Sequence, residues 1–431
     1  MEGMHKRGYK NVKPNVRTYN AVMDTIYRSR KGNPESAEAL LLKMINKFEN
    51  GDNDLQPDTF SFNAVIQCYT KSRRPDAGDK AMNLLEKMMD LHKKGVVNPD
   101  TRSFFHIIEY YSRLSEKDAP AKAEKLLRTM VELFYRQSEP GKSKESITPN
   151  IFCFTAVIVA YTRNNCDAGS HAEEILDLLH HVYAASKCNT KLRPNAFVYN
   201  CVLDAYSKSR ELRLSEERAD EILSILEREY AKGFDEMRPT AKTYILSLIC
   251  LAKSYEFDKI QKSLKIIQRM KKQYSNGNVL ARPNVQAYSI LINTAASSNH
   301  RDIQEEEKAL DVAKLALKQL RDCSYDSPNS ITYGSFLKAC ANLNLPRDIL
   351  EENAKTAFQN CCEEGHVNEY VISQVKKAVT PDSLESLIPS GSFTGGKKYR
   401  WNQNLPPHWS RNVPDKLMND SKGRSYSISS L

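Results

Sequence analysis

The chain has 431 residues, 40% of them hydrophobic, and carries 63 Lys and Arg against 53 Asp and Glu, a net charge of +10. That length holds roughly three globular domains at about 150 residues each, or one long repeat array, and no apolar run nears the roughly 20 residues that span a bilayer. Ten cysteines are too sparse for a disulfide scaffold and offer no CxxC pair to a tetrahedral metal; most fall in apolar helical patterns (Cys68, Cys201, Cys250, Cys340), as a reducing compartment permits.

In chain order, residues 1–13 read as the remnant of an upstream repeat. Met4-His5-Lys6-Arg7-Gly8, ending at Pro14-Asn15, parallels Leu91-His92-Lys93-Lys94-Gly95, ending at Pro99-Asp100. The expectation is a chain that opens inside the second helix of an earlier unit, as a fragment or truncated gene model would.

Residues 14–380 read as a repeat array. A proline followed five residues later by an aromatic recurs eight times: Pro14/Tyr19, Pro57/Phe62, Pro99/Phe104, Pro149/Phe154, Pro194/Tyr199, Pro239/Tyr244, Pro283/Tyr288 and Pro328/Tyr333. The interval averages about 45 residues, within the range of helical repeats. After each aromatic, apolar residues at +3, +4 and +7 (Val65, Ile66, Tyr69; Val202, Leu203, Tyr206) mark one face of a helix. A second pattern, A-x-x-L-L-x-x-M, follows at Ala37/Leu40/Leu41/Met44, Ala81/Leu84/Leu85/Met88 and Ala123/Leu126/Leu127/Met130, and continues more loosely to Ala354/Ala357/Phe358/Cys361. Small residues at its first position would let two helices approach closely. Each proline is expected to stop the second helix and set the turn into the next unit. A hairpin this short cannot cover its own apolar stripe, whereas a stack can. The pattern therefore predicts an all-α fold, a right-handed α-solenoid of about eight helix-turn-helix repeats with one continuous core.

Beyond residue 380 the periodicity ends and Gly, Ser and Pro accumulate. Residues 381–431, with seven Lys/Arg and four Asp/Glu, read as a basic, mostly disordered tail. Within it, Lys397-Lys398-Tyr399-Arg400-Trp401 mixes cations with aromatics that suit a single strand. The apolar residues of Leu405–Val413 are expected to fold back over the last hairpin.

Pro57-Asp58-Thr59-Phe60-Ser61-Phe62-Asn63-Ala64-Val65-Ile66 and Pro194-Asn195-Ala196-Phe197-Val198-Tyr199-Asn200-Cys201-Val202-Leu203 resemble the pentatricopeptide repeat (PPR) family, and the resemblance covers about residues 14–365. The units are unusually long, about 45 residues against about 35 in the family. Leu405–Val413 resembles a closing segment of algal proteins of this type. Tetratricopeptide repeats share the hairpin but carry a Trp and a helix-A Gly; here Trp401 and Trp409 lie outside the array.

Three columns of the repeat are candidate binding positions. The residue after the aromatic is Asn20, Asn63, Phe105, Thr155, Asn200, Ile245, Ser289 or Gly334, and Asn, Thr and Ser can read a base edge by hydrogen bonding. The resemblance pairs it with the residue after the next proline: Asp58, Asp100, Asn150, Asn195, Thr240, Asn284 and Asn329. By the family rule Asn20/Asp58 and Asn63/Asp100 would favour uracil, and Thr155/Asn195 and Ser289/Asn329 adenine. Phe105/Asn150, Ile245/Asn284 and Gly334 fit no rule, and Asn200/Thr240 is ambiguous. Helix N-capping is the competing role for the Asp and Asn column. Nine residues after the aromatic stand Arg28, Lys71, Arg113, Arg163, Lys208 and Lys253, a cationic stripe suited to phosphates, with complementation of the helix dipole as the alternative. Two residues before the aromatic, Phe60, Phe152 and Phe197 can stack on bases or staple the helix start, and Arg17 and Arg102 can stack through their guanidinium planes.

No P-loop, GxSxG or HExxH motif occurs, and His171-Ala172-Glu173 lacks the P-C-x-x-C of zinc deaminases. The expectation is a non-catalytic chain without cofactor or metal that binds single-stranded RNA selectively, about one base per repeat. By resemblance it would be a monomer, would work with RNA-processing protein partners and no membrane, and would act in RNA processing, stability or translation in the mitochondrion or plastid. The competing expectation is a tetratricopeptide-like scaffold holding peptide segments in the same groove.

Overall fold

The computed structural model describes residues 13–29, 32–72, 74–137, 147–164, 167–187, 189–210, 212–297, 303–388 and 405–414. Helices α1 (Val16–Arg28) and α2 (Pro34–Glu49) make the first hairpin, α3 (Thr59–Lys71) and α4 (Ala77–Lys93) the second. The third is α5 (Thr101–Arg113) with α6 (Ala119–Gln137), the fourth α7 (Ile151–Asn164) with α8 (Ala168–Ala185). After a division at Pro194/Asn195 a second compact unit begins. It holds hairpins α9 (Ala196–Lys208)/α10 (Leu212–Ala231), α11 (Ala241–Lys253)/α12 (Lys259–Ser275), α13 (Val285–Ala296)/α14 (Ile303–Arg321) and α15 (Ser330–Asn342)/α16 (Arg347–Glu363). A ninth opening helix, α17 (Glu369–Ala378), and the short α18 (Pro381–Leu387) follow. Each unit is an all-α stack of helix hairpins, an α-solenoid.

Within a unit every odd-numbered (A) helix packs on its own even-numbered (B) partner and on the next A helix, while the B helices mostly touch A helices. The A helices are therefore buried nearly all round. In α3 only Phe60 and Lys71 are exposed, and Phe62, Val65, Ile66 and Tyr69 have no accessible surface. Each such side chain contributes about 1.5–3 kcal/mol by leaving water. The first position of the B pattern is always small and always closed off: Ala37, Ala81, Ala123, Ala172, Ser263, Ala309 and Ala354 are fully buried and Ala219 is 2% exposed.

The prolines do not stop the B helices. Five of them end earlier, at glycines in the left-handed region (Gly51, Gly95, Gly233, Gly277 and Gly365), and α8 ends at Lys187, whose φ is 55°. There the next amide reaches back to close the last turn, as in Asp52 N donating to Lys47 O at 3.0 Å and Val96 N to Leu91 O at 3.0 Å. A residue with a Cβ is strained at that φ and glycine is not. In the loop before each of six prolines, the apolar residue two positions ahead of the proline is buried in the core: Leu55, Val97, Ile147, Leu192, Met237, Ala281. The eight prolines are themselves buried and introduce the N-cap of the next A helix. The hydroxyl of the first helical residue then clips onto the following loop, Thr59 Oγ1 donating to Asn98 O (2.6 Å), Thr101 Oγ1 to Thr148 O (2.8 Å) and Ser330 Oγ to His366 O (2.7 Å).

The tail is not wholly unstructured. Residues 405–414 return to the last hairpin: Val367 N donates to Trp409 O (2.8 Å), Asn412 N to Gly365 O (2.9 Å), and Trp409 meets Phe358 edge-on at 5.7 Å. Leu405 and Val413 are buried there, which gives the end of the stack the cover an open solenoid end requires. Residues 1–12 and the Lys397–Trp401 cluster lie outside the described residues.

Glu351 of α16 anchors α18. Its carboxylate accepts from Ser383 Oγ and Thr380 Oγ1 and pairs with Lys355 Nζ at 3.1 Å. These bonds, that from Ser383 foremost, hold the carboxyl down at about 2 against an ordinary 4.5. A lowered folded-state value means the anchoring is complete above 4.5 and is lost as pH falls through about 2. Hydrogen exchange should show the protection of α18 declining across that window, and Glu351→Gln should remove the pH dependence.

Candidate functional site

Burial leaves each A helix one accessible stripe, running from its first turn to its last. In repeat two it runs from the exposed Phe60 past the buried Asn63 and half-buried Gln67 to the exposed Lys71, spaced three or four apart and so on one helix face. Within each unit neighbouring A helices set these stripes side by side, making a trough whose floor is the seam between A helices.

Phe60, Phe152 and Phe197 stand at the N-terminal rim, 51%, 55% and 51% exposed. Staples would be covered, so these rings are presented outward. The column after the aromatic is the reverse: Asn20, Asn63, Thr155, Asn200 and Ser289 are 3–9% exposed, set in the seam. The residues after the prolines cap the A helices. Asp58, Asp100, Asn195, Asn284 and Asn329 each accept from a first-turn amide, Asn150 accepts from Phe152 N at 3.0 Å, and Thr240 forms a capping box with Thr243.

Capping and pairing across the seam coexist, because a carboxylate has two oxygens to offer. Asn20 Nδ2 donates to both oxygens of Asp58 (3.1 and 3.2 Å), and Asn63 Nδ2 to Asp100 Oδ1 (3.0 Å), while the same carboxylates cap α3 and α5. Asn20 Oδ1 is filled by Ser61 Oγ at 2.8 Å. Asn63 Oδ1 and Asn200 Oδ1, buried in the same seam, accept no hydrogen bond among the described residues. An unfilled buried acceptor costs about 1–3 kcal/mol, so each oxygen has bonding capacity left over in the seam. Ser289 Oγ is held by Thr332 Oγ1 at 2.7 Å, and Thr155 Oγ1 donates to Phe152 O at 3.2 Å. Phe105 is half-buried and Ile245 buried, leaving apolar steps in the seam.

Gly334 has a steric reason. A Cβ there would run into the ring of Tyr370, which stands two residues into α17 and covers the floor. The repeat that supplies Tyr370 was hidden in the sequence because Val367 and Ile372 replace the proline and the aromatic; Asn368, which caps α17 through Val371 N at 3.0 Å, is the surviving signal.

The six cations sit at the far rim within each unit, in the last turn of an A helix: Arg28, Lys71, Arg113 and Arg163 in the first, Lys208 and Lys253 in the second. Arg28 pairs with Asp24 (2.8 Å), Arg113 with Glu109 (3.9 Å) and Lys208 with Asp204 (2.9 Å), each within its own helix. The other three reach the preceding A helix: Lys71 Nζ donates to Tyr27 Oη (2.5 Å), Arg163 Nη1 to Arg113 O (3.4 Å), and Lys253 Nζ to Ser207 O. Burial pushes the Lys253 ammonium below the ordinary lysine value. Both dipole complementation and a cationic rim are therefore present. Sequence reading missed the residue one turn before each cation, and missed Gln67 and His106, which bond across the trough; burial lowers His106 from its usual value. Among the described residues no group of three His, Cys, Asp or Glu could hold a metal, and no helix is long and apolar enough to cross a membrane.

Fold and trough define the class: a helix-hairpin repeat protein with its polar seam on the A-helix face. A family model for the PPR repeat matches residues 60–92, from the exposed Phe60 to the end of α4. Solved structures similar to it include the pentatricopeptide repeat protein PPR10 in complex with an 18-nucleotide psaJ RNA element (18% identity, TM-score 0.34, covering 85% of this chain and 46% of that one). PPR10 from maize is another (16% identity, TM-score 0.33, covering 90% and 59%). The chain thus spans about half the length of these solved chains. No curated protein matches it.

Gly334→Ala should force the Tyr370 ring aside and destabilise the second unit by about 1–3 kcal/mol, as overpacking does. Urea denaturation measures this; an unchanged midpoint would contradict the packing.

Proposed function

We propose that the protein is a non-catalytic, sequence-selective binder of single-stranded RNA, and that by its family likeness it serves organellar RNA processing, stability or translation. The observation that carries this reading is Asn63. Its amide nitrogen is held by Asp100, its buried oxygen is unfilled, and the exposed Phe60 and Arg102 stand at equivalent positions in the two helices that form this seam. A flat ring carrying a hydrogen-bond donor on its edge fits that setting. Uracil brings such a donor at N3–H, and its faces stack on Phe60 and the Arg102 guanidinium. Asn200, one turn after the exposed Phe197, has an unfilled oxygen of the same kind. Phosphates would lie along the cationic rim, where the partners of Lys71, Arg163 and Lys253 are a phenol or a backbone carbonyl rather than a carboxylate.

Fluorescence anisotropy with short labelled RNAs tests this. Affinity should fall steeply with salt, Phe60→Ala should cost about 1–3 kcal/mol, and Asn63→Ala should weaken uracil-containing strands more than others. Affinity that is absent, or indifferent to salt and to both substitutions, overturns the reading in favour of a peptide-binding scaffold.

A further inference from the structure

The cationic rim is not uniform. One turn before each cation stands Asp24, Gln67, Glu109, Val159, Asp204 or Ile249, so a carboxylate recurs in every second repeat. The three carboxylates pair with the cation four residues on in their own helices, as shown by the Asp24–Arg28, Glu109–Arg113 and Asp204–Lys208 contacts. In the intervening repeats the cation's partners are a phenol or a backbone carbonyl. The difference is one of net charge. A cation bonded to a neutral acceptor presents a full charge to the trough, whereas one paired with a carboxylate presents a dipole whose field falls off within the pair. The carboxylates stand nearer the trough centre than their cations, so an approaching phosphate meets the negative end as well.

Resting on the RNA-binding reading, we infer that Asp24, Glu109 and Asp204 confine phosphate contact to alternate repeats, at Lys71, Arg163 and Lys253, and so lower the sequence-independent share of binding. The backbone of a bound strand would be gripped once per two repeats, while base contacts in the seam recur more often. A strand with the wrong bases would then be held by few phosphates and released.

The test compares the full chain with the triple variant Asp24→Asn, Glu109→Gln, Asp204→Asn, whose isosteric changes fall on surface pairs. The probes are a labelled oligouridine and a scrambled RNA of the same length, at several salt concentrations. Each freed cation adds about one phosphate contact, steepening the salt dependence by about 0.7 in log–log slope per substitution. Between 50 and 200 mM salt that is about 2.6-fold per substitution. The expected result is tighter binding of both RNAs, with the scrambled strand gaining at least as much, and a steeper slope. If the unaltered chain binds RNA and the triple variant binds with equal or lower affinity and the same slope, the carboxylates do not govern phosphate contact and the inference fails while RNA binding stands. If neither protein binds either RNA, both readings fall. Asp204→Glu, which keeps charge and pairing, should leave the slope unchanged; a change there would also count against the inference.

Discussion

An A helix of this protein cannot be covered by its own hairpin. The apolar residues of α3 surround the helix except for one stripe, so burial demands a neighbour on each side, and the seam between successive A helices becomes the continuous element of each unit. The features of functional interest follow from that packing. The seam needs polar groups where capping residues enter it, and the capping carboxylates of Asp58 and Asp100 are close enough to the preceding helix to hold Asn20 and Asn63. Capping sets the start of one helix and fixes a side chain of another in the same act, which makes the register of the trough a consequence of folding.

The same packing explains why the seam is uneven. Where the next repeat supplies a hydroxyl, as Ser61 does to Asn20 and Thr332 to Ser289, the reading position is already satisfied. At Asn63 and Asn200 the equivalent hydroxyls, Ser103 and Thr243, are engaged with the capping residues of their own helices, and an acceptor is left unfilled. At the end of the second unit, Tyr370 occupies the space a side chain on Gly334 would take, and residues 405–414 close the last hairpin beyond it. The trough thus has open, satisfied and closed steps, each with its own local cause.

Much of this was legible from residue spacing. The proline–aromatic period gave the repeats, the A-x-x-L-L-x-x-M pattern gave the B helices, and the three columns landed on one face because a periodic sequence stacked in register must align equivalent positions. What was not legible depended on single exchanges. Left-handed glycines, not the prolines, close five of the B helices, and the sequence reading passed over them because it assigned the stop to the prolines. The ninth A helix was concealed by Val367 and Ile372 in the signature positions. The carboxylates before alternate cations were visible as letters, but their meaning required knowing that the side chains lie on the trough face and pair there.

Ultraviolet crosslinking of a 4-thiouridine oligonucleotide, followed by mapping of the adducted peptides, reads directly which face meets the nucleic acid. Adducts on peptides containing Phe60, Phe152 or Phe197 are the predicted result, since these rings line the A-helix trough. Adducts concentrated on the exposed faces of the B helices, with none on those three, would contradict the trough as the binding surface.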